Sequence, residues 1–129
     1  MIKFQNLIDE GYNFFTGVPD SGLKEFIIHI TESSVSHIQA TNEGQAIGIA
    51  VGAELVGMKS SVYLQNSGIG NIINPLTSLC IPHGIYPFLV IGHRHTLPQH
   101  RVMGTFGEDL LNIIGYTNYH IVEGNNNVQ

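Results

Sequence analysis

Apolar positions along the chain alternate between a helical period of about 3.6 residues and short continuous runs, with glycine, proline, asparagine and serine at the breaks. This alternation predicts helices and strands in turn. The predicted helices are 2–10, a segment over 23–30 capped by Asp20 or Ser21, 43–57, 72–80 and 108–114. The predicted strands are 12–16, 36–41, 60–65, 86–91 and 119–122. Residues 66–71 and 92–104 are predicted to be loops.

Five strands with continuous apolar runs, each separated from the next by a helix, indicate an open parallel sheet covered by helices on both faces. In such an α/β fold, ligands bind outside the carboxyl ends of the strands. The segments that follow the first four strands are polar or rich in glycine: GVPDS, TNEG, QNSGIGN and GHRHTLPQH. We therefore expect these four segments to converge at one edge of the sheet.

The helix that begins at Glu43 carries Gly44, Gly48 and Gly52, spaced four residues apart on one face. Glycine inside a helix costs roughly 1 kcal/mol relative to alanine, so this row is expected where another backbone, a helix or a flat ligand approaches closely. Glu43 is then a candidate functional carboxylate. The alternative is a helix packed tightly on its own sheet, with Glu43 only interacting favourably with the helix dipole.

Composition excludes several classes of function. Of the 129 residues, 43% are hydrophobic and 12% charged, and the net charge of -5 argues against nucleic-acid binding, which needs clustered Lys and Arg. The apolar composition suggests that some surface meets a partner. The single cysteine, Cys80, lies in an apolar run and is expected to pack in a reduced compartment. The N-terminal residues show no signal peptide or membrane anchor, so a cytoplasmic location is expected.

Three familiar motifs do not fit the glycine-rich segment after the third predicted strand. Gly68 and Gly70 form G-x-G without the third glycine of the dinucleotide fingerprint, and no Walker P-loop is present. Ser67 is not a hydrolase nucleophile elbow, because Gln65 stands where the first glycine belongs.

The loop over 92–104 contains His93, His95 and His100 together with both arginines of the chain, Arg94 and Arg101. A zinc site is one interpretation, but no cysteine or nearby carboxylate completes a ligand set, so no metal site is predicted. The other interpretations are a solvated loop and a lid that binds a small dianion.

The segments GVPDS, TNEGQAIGIAVG, LQNSGIGNIINPLTSL and IGHRHTLPQH, in this order, resemble the pyrimidine-binding domain of thiamine diphosphate-dependent 2-oxoacid decarboxylases, in particular the phosphonopyruvate and sulfopyruvate decarboxylases. The resemblance covers nearly the whole chain, so residues 1–129 are expected to form a single pyrimidine-binding domain. NPL and Asp20 are more similar to the phosphonopyruvate branch.

The resemblance implies roles for individual residues. Glu43 matches the glutamate that hydrogen-bonds the aminopyrimidine ring of the cofactor and promotes proton transfer, which makes it the candidate catalytic residue. The other matched positions are Pro19 and Asn71 for the cofactor, and Ser21, Asn66, Arg94, Gln99 and His100 for the substrate. The loop between Arg94 and Pro98 is shorter than in the family.

The sequence departs from the family in two ways. The GDG motif with a downstream Asn, which anchors diphosphate and magnesium, is missing, so a diphosphate-binding beta subunit is expected to hold that end of the cofactor. The family's domain also continues with another helix and strand after the last predicted strand, so the chain is expected to lack these two elements, either as a truncated product or because they are supplied elsewhere.

The prediction is therefore the alpha subunit of a split decarboxylase that converts phosphonopyruvate to phosphonoacetaldehyde and carbon dioxide within a hetero-oligomer. The alternatives are a sulfopyruvate decarboxylase alpha subunit and, from another class, a non-catalytic binding or assembly subunit.

Overall fold

A computed structural model describes residues 2–123 of the chain. Its centre is a sheet of five parallel strands in the order β2-β1-β3-β4-β5. The strands are β1 (Phe14–Gly17), β2 (Ser36–Gln39), β3 (Ser60–Gln65), β4 (Phe88–His93) and β5 (Tyr119–Glu123). The predicted open parallel sheet is confirmed.

The helices connect successive strands. They are α1 (Phe4–Asp9), α2 (Lys24–Glu32), α3 (Glu43–Leu55), α4 (Ile73–Pro75), α5 (Ile81–His83) and α6 (Pro98–Ile114). Three shorter segments complete the path: 3-10 turns at Ser21–Leu23 and Asn66–Asn71, and a π-helical turn at Leu76–Cys80 that joins α4 to α5. No helix among residues 2–123 is long and apolar enough to cross a membrane.

Helices cover both faces of the central strands. Val62 and Leu64 of β3 lie in one apolar cluster with residues of α3 and α6, whereas Tyr63 lies in a second cluster with residues of α1 and α2. Alternation along the strand therefore divides the core into two layers. Cys80 is fully buried in the first layer, as predicted.

Two predicted loops are helical instead. The segment 66–71 forms 3-10 turns, and α6 begins at Pro98, within the predicted loop over 92–104. Proline suits the first position of a helix, where its missing N–H is not needed. Gly104 and Gly107 interrupt the helical pattern of the sequence, so the first part of this helix was not predicted. A Cβ on Gly104 would lie 2.6 Å from the Cβ of His95, and one on Gly107 would lie 3.0 Å from Ile69, so both glycines permit close packing.

The glycine row of α3 does not pack against its own sheet. A Cβ on Gly44 would contact the backbone oxygen of Asn71 at 3.2 Å, but one on Gly48 or Gly52 would have no neighbour within 4 Å. The alternative of a helix packed tightly on its own sheet is therefore wrong for Gly48 and Gly52. The exposed side chains of Leu55 and Val56 continue this open surface at the end of α3.

The strand order places β1 between β2 and β3, so the connections after β1 and β3 leave the sheet in opposite directions. Such a reversal opens a crevice at the carboxyl ends of the two strands, where ligands bind in this class of fold.

Candidate functional site

A cleft of about 280 Å³ lies at this reversal, beyond the carboxyl ends of β1 and β3. Its walls come from the segment after β1, the first residue of α3 and the 3-10 turns after β3. The lining residues are Val18, Pro19, Glu43, Gln65, Ser67, Gly68 and Asn71. All three residues predicted to contact the cofactor, namely Pro19, Glu43 and Asn71, therefore share one cleft.

The start of α3 is fixed by side-chain caps. Asn42 is the N-cap, and its side-chain oxygen accepts a hydrogen bond from the backbone N–H of Gln45 at 2.9 Å. The Gln45 side chain reaches back and accepts from the backbone N–H of Thr41 at 2.7 Å. These reciprocal bonds satisfy donors at the end of the helix. They hold Glu43, the next residue, at the mouth of the cleft.

The Glu43 carboxyl group is oriented by two neighbours. Asn71 donates from Nδ2 to Oε1 of Glu43 at 2.7 Å. Gly68 lies against the other side of the group, since a Cβ at this position would be 2.5 Å from the Glu43 carboxyl carbon and 2.8 Å from Oε2. Oε1 therefore accepts from Asn71, and Oε2 lies on the side of the group that faces Gly68.

A second cluster surrounds Arg94, just after β4. Its Nε forms an ion pair with Oδ1 of Asp20 at 3.0 Å, and the two side chains are only 11% and 3% exposed. The guanidinium group also donates to the hydroxyl of Ser21. Asp20 in addition accepts from the backbone N–H of Gly22 and so caps the 3-10 turn that leads into α2, rather than α2 itself. Arg94 and Ser21, both predicted substrate residues, are therefore in direct contact.

Asn66 holds the backbone of Arg94. Its Nδ2 donates to the Arg94 carbonyl oxygen at 2.8 Å, and its Oδ1 accepts from the Arg94 N–H at 2.9 Å. Asn66 is 2% exposed. Its amide group is thus engaged with Arg94, and the structure makes it a positioning residue for Arg94.

Gln65 connects the two clusters, although its role was missed in the sequence. It lines the cleft beside Glu43 and donates from Nε2 to Oδ1 of Asp20 at 2.9 Å. Its position as the last residue of β3 was the available signal, because side chains at strand ends point toward the ligand edge.

His100 approaches the cleft from the first turn of α6. Its Nδ1 lies 3.0 Å from the hydroxyl oxygen of Ser67, which lines the cleft. Gln99, the preceding residue, is exposed and is not among the residues that line the cleft in the described part of the chain. The structure therefore brings His100 into contact with a residue of the cleft wall, although His100 is not itself a lining residue, and leaves Gln99 outside the site.

The histidines do have a carboxylate nearby. His93 Nδ1 lies 2.9 Å from Oε1 of Glu123, the last residue of β5, and the premise that no carboxylate accompanies them is wrong. Burial lowers the pKa of His93, but the hydrogen bond to the Gly104 carbonyl and the charge of Glu123 outweigh it, so the net pKa is raised. The sequence could not place Glu123, since it becomes a neighbour only through the pairing of β4 with β5.

Comparison with known proteins finds relatives that belong to two groups, each with its own name. The alpha subunit of sulfopyruvate decarboxylase from Methanocaldococcus jannaschii is 37% identical over 121 residues, covering 90% of this chain and 72% of that protein. The corresponding subunit from Methanococcus maripaludis is 35% identical over 97 residues, covering 74% of this chain and 58% of that protein.

Phosphonopyruvate decarboxylase from Streptomyces viridochromogenes is 39% identical over 111 residues, but the match spans only 28% of that longer protein. No family model matches the chain. The sulfopyruvate decarboxylase subunits are more numerous and matched over more of their length than the phosphonopyruvate decarboxylases. The predicted family of decarboxylases is confirmed: the chain belongs to the family of the sulfopyruvate decarboxylase alpha subunits and phosphonopyruvate decarboxylases.

Proposed function

We propose that this chain is the alpha subunit of a thiamine diphosphate-dependent sulfopyruvate decarboxylase. The observation that carries the proposal is the Glu43 carboxyl group at a cleft on the reversal between β1 and β3, with one oxygen fixed by Asn71. The family relationship supplies the class of reaction, and the relatives named sulfopyruvate decarboxylase favour sulfopyruvate over the phosphonopyruvate predicted from the sequence.

The residues of the cleft fit the pyrimidine ring of the cofactor. Pro19 and Val18 offer an apolar wall for a flat ring, and Gly68 leaves room for the Glu43 carboxyl group at the side of the cleft. In this arrangement Glu43 would contact the ring and carry a proton at Oε2, while Asn71 donates to Oε1. Thiamine diphosphate, when bound, supplies the nucleophilic carbon and the electron sink for loss of carbon dioxide.

The Arg94 cluster is the candidate site for the acidic substituent of the substrate. Sulfopyruvate carries a sulfonate as well as a carboxylate, and a guanidinium group binds such anions through paired hydrogen bonds. Asp20 and Ser21 hold one side of the guanidinium group, and Asn66 holds the backbone. His100, in the first turn of α6, adds a second hydrogen-bonding group beside Ser67, which lines the cleft.

A partner chain completes the site in this proposal. The 129 residues contain no GDG motif, so we propose that a diphosphate-binding beta subunit holds the diphosphate and magnesium. The open face of α3, with Gly48 and Gly52 unopposed and Leu55 and Val56 exposed, suits a closely packed partner. The relatives named subunit alpha support this arrangement.

The test is a comparison of specificity constants in the assembled enzyme. The chain is combined with its diphosphate-binding partner, thiamine diphosphate and magnesium, and kcat/KM is measured for sulfopyruvate, phosphonopyruvate and pyruvate. We expect sulfopyruvate to be preferred. Arg94→Lys should lower kcat/KM for sulfopyruvate by about tenfold or more, and pyruvate should lose far less. Arg101→Lys, an exposed site on α6, is the matched control.

Each of the other results of this kinetic comparison would change a different part of the proposal. A preference for phosphonopyruvate would move the substrate to the other branch of the family. Equal losses for sulfopyruvate and pyruvate in Arg94→Lys would make Arg94 structural. Absence of turnover with all three compounds, in an assembly that binds the cofactor, would make the chain a non-catalytic subunit.

A further inference from the structure

A cluster of three side chains outside the Glu43 cleft brings together His93, His95 and Glu123. One potential ligand atom from each lies within 4.8 Å of the other two. His93 is the last residue of β4 and pairs with Glu123, the last residue of β5, in the register of the sheet. The cluster therefore rests on two adjacent strand ends rather than on a loop alone.

Both ring nitrogens of His93 lie within hydrogen-bond distance of an acceptor oxygen. Nε2 lies 2.9 Å from the backbone oxygen of Gly104, and Nδ1 lies 2.9 Å from Oε1 of Glu123. Both oxygens are acceptors, but a neutral imidazole has only one N–H. With that N–H donated to Gly104, the lone pair of Nδ1 faces a carboxylate. A cation, either a proton or a metal ion, is needed between the two.

The bond to Gly104 is typical of histidines that bind metal. A metal-binding imidazole usually donates its other N–H to a carbonyl or carboxylate, which fixes the ring and its tautomer. Gly104 also brings α6 close enough to do this, because a Cβ there would lie 2.7 Å from the Arg94 carbonyl oxygen and 2.6 Å from the His95 Cβ. Gly104 thus accepts the hydrogen bond from His93 and, because it has no side chain, also allows α6 to pack against His95.

We propose that His93, His95 and Glu123 bind a divalent transition metal ion of the zinc type. Two imidazoles and one carboxylate form a ligand set that suits zinc, and three protein ligands leave a fourth position for water. Tetrahedral ligands at about 2.0 to 2.1 Å from zinc lie roughly 3.3 Å from one another. His93 Nδ1 and Glu123 Oε1 would therefore have to move only slightly further apart to admit the ion.

The ion would join the ends of β4 and β5. His93 and His95 flank Arg94, whose backbone is already held by Asn66. Metal binding would therefore fix this segment from a second side. The site is separate from the magnesium that accompanies the diphosphate in the proposed function, and it can be tested without measuring activity.

The test is metal binding by the protein as purified in its full assembly. After treatment with a chelator, zinc is added back, bound metal is counted by elemental analysis, and affinity is measured by calorimetry. Cobalt(II) serves as a spectroscopic probe of tetrahedral coordination. We expect one zinc ion per chain and visible cobalt absorption bands. Glu123→Gln and His95→Ala should each weaken zinc binding by about tenfold or more.

His83→Ala is the control, because His83 is exposed and bonds locally to Leu79. It should leave stoichiometry and affinity unchanged. Glu123→Gln keeps the shape of an exposed side chain, so it tests the carboxylate without disturbing the core. Failure of the wild type to bind stoichiometric zinc, or equal affinity in the wild type and Glu123→Gln, would overturn the proposal and leave a protonated His93 paired with Glu123.

Discussion

Replacing Gly68 with alanine should damage the site while leaving the fold intact. The new Cβ would lie 2.5 Å from both Cγ and Cδ of Glu43. The carboxyl group must retreat by roughly 1 Å to regain ordinary contact, and a misplacement of about 1 Å in a catalytic group costs on the order of 100-fold in rate. The same movement breaks the hydrogen bond from Asn71 to Glu43.

Stability should change little in this variant. Gly68 has no positive φ, so alanine fits its backbone and gains roughly 0.4 to 1 kcal/mol through the unfolded state. The lost Asn71 hydrogen bond costs about 0.5 to 1.5 kcal/mol, which nearly cancels this gain. The predicted result is therefore a large loss of turnover with an almost unchanged midpoint of unfolding.

Gly70→Ala is the matched control for Gly68→Ala. Gly70 lies in the same 3-10 segment, and a Cβ there has no neighbour within 4 Å. Turnover of the assembled enzyme is measured for both variants, with urea unfolding alongside. Turnover of Gly68→Ala within a few-fold of wild type, or equal losses in the two variants, would refute the reasoning that Glu43 must occupy this position.

Three further predictions concern two buried residues and one half-buried histidine. Asp20→Asn leaves the charge of Arg94 without its ion-pair partner and should lower the free energy of unfolding by roughly 3 kcal/mol, measured by urea denaturation. Burial raises the pKa of Cys80 to about 11, so a disulfide reagent should modify the thiol only after denaturation; rapid labelling of the native protein would contradict this. Burial lowers the pKa of His37, so this residue binds fewer protons in the native state than in the unfolded state, and its contribution to stability should fall as pH drops below about 6.5. His37→Gln should flatten that dependence.

The fold and the position of Glu43 could be predicted from the sequence because both depend on local patterns. The apolar runs of β3 and β4 identify central strands. The glycine row places Glu43 at the start of a helix, and the structure adds a cap at Asn42. In a parallel sheet, that start lies at the carboxyl edge, where Asn71 also arrives after β3.

The Arg94 cluster and α6 could not be predicted in the same way. Asp20 and Arg94 follow different strands, and only the side-by-side packing of those segments brings them together. Gly104 and Gly107 weaken the helical pattern of α6, but His95 and Ile69 lie so close to them that a side chain at either position would be crowded. Tertiary packing therefore overrides the local pattern at these positions.

The most direct test of the account is the turnover of Glu43→Gln in the assembled enzyme with thiamine diphosphate and magnesium. Glutamine keeps the shape of the side chain and can still pair with Asn71, but it cannot pass a proton to the cofactor. We predict that kcat for sulfopyruvate falls by about 100-fold or more, while Glu32→Gln, an exposed control on α2, has no effect. Turnover of Glu43→Gln equal to that of the wild type would contradict the assignment of Glu43 as the catalytic residue.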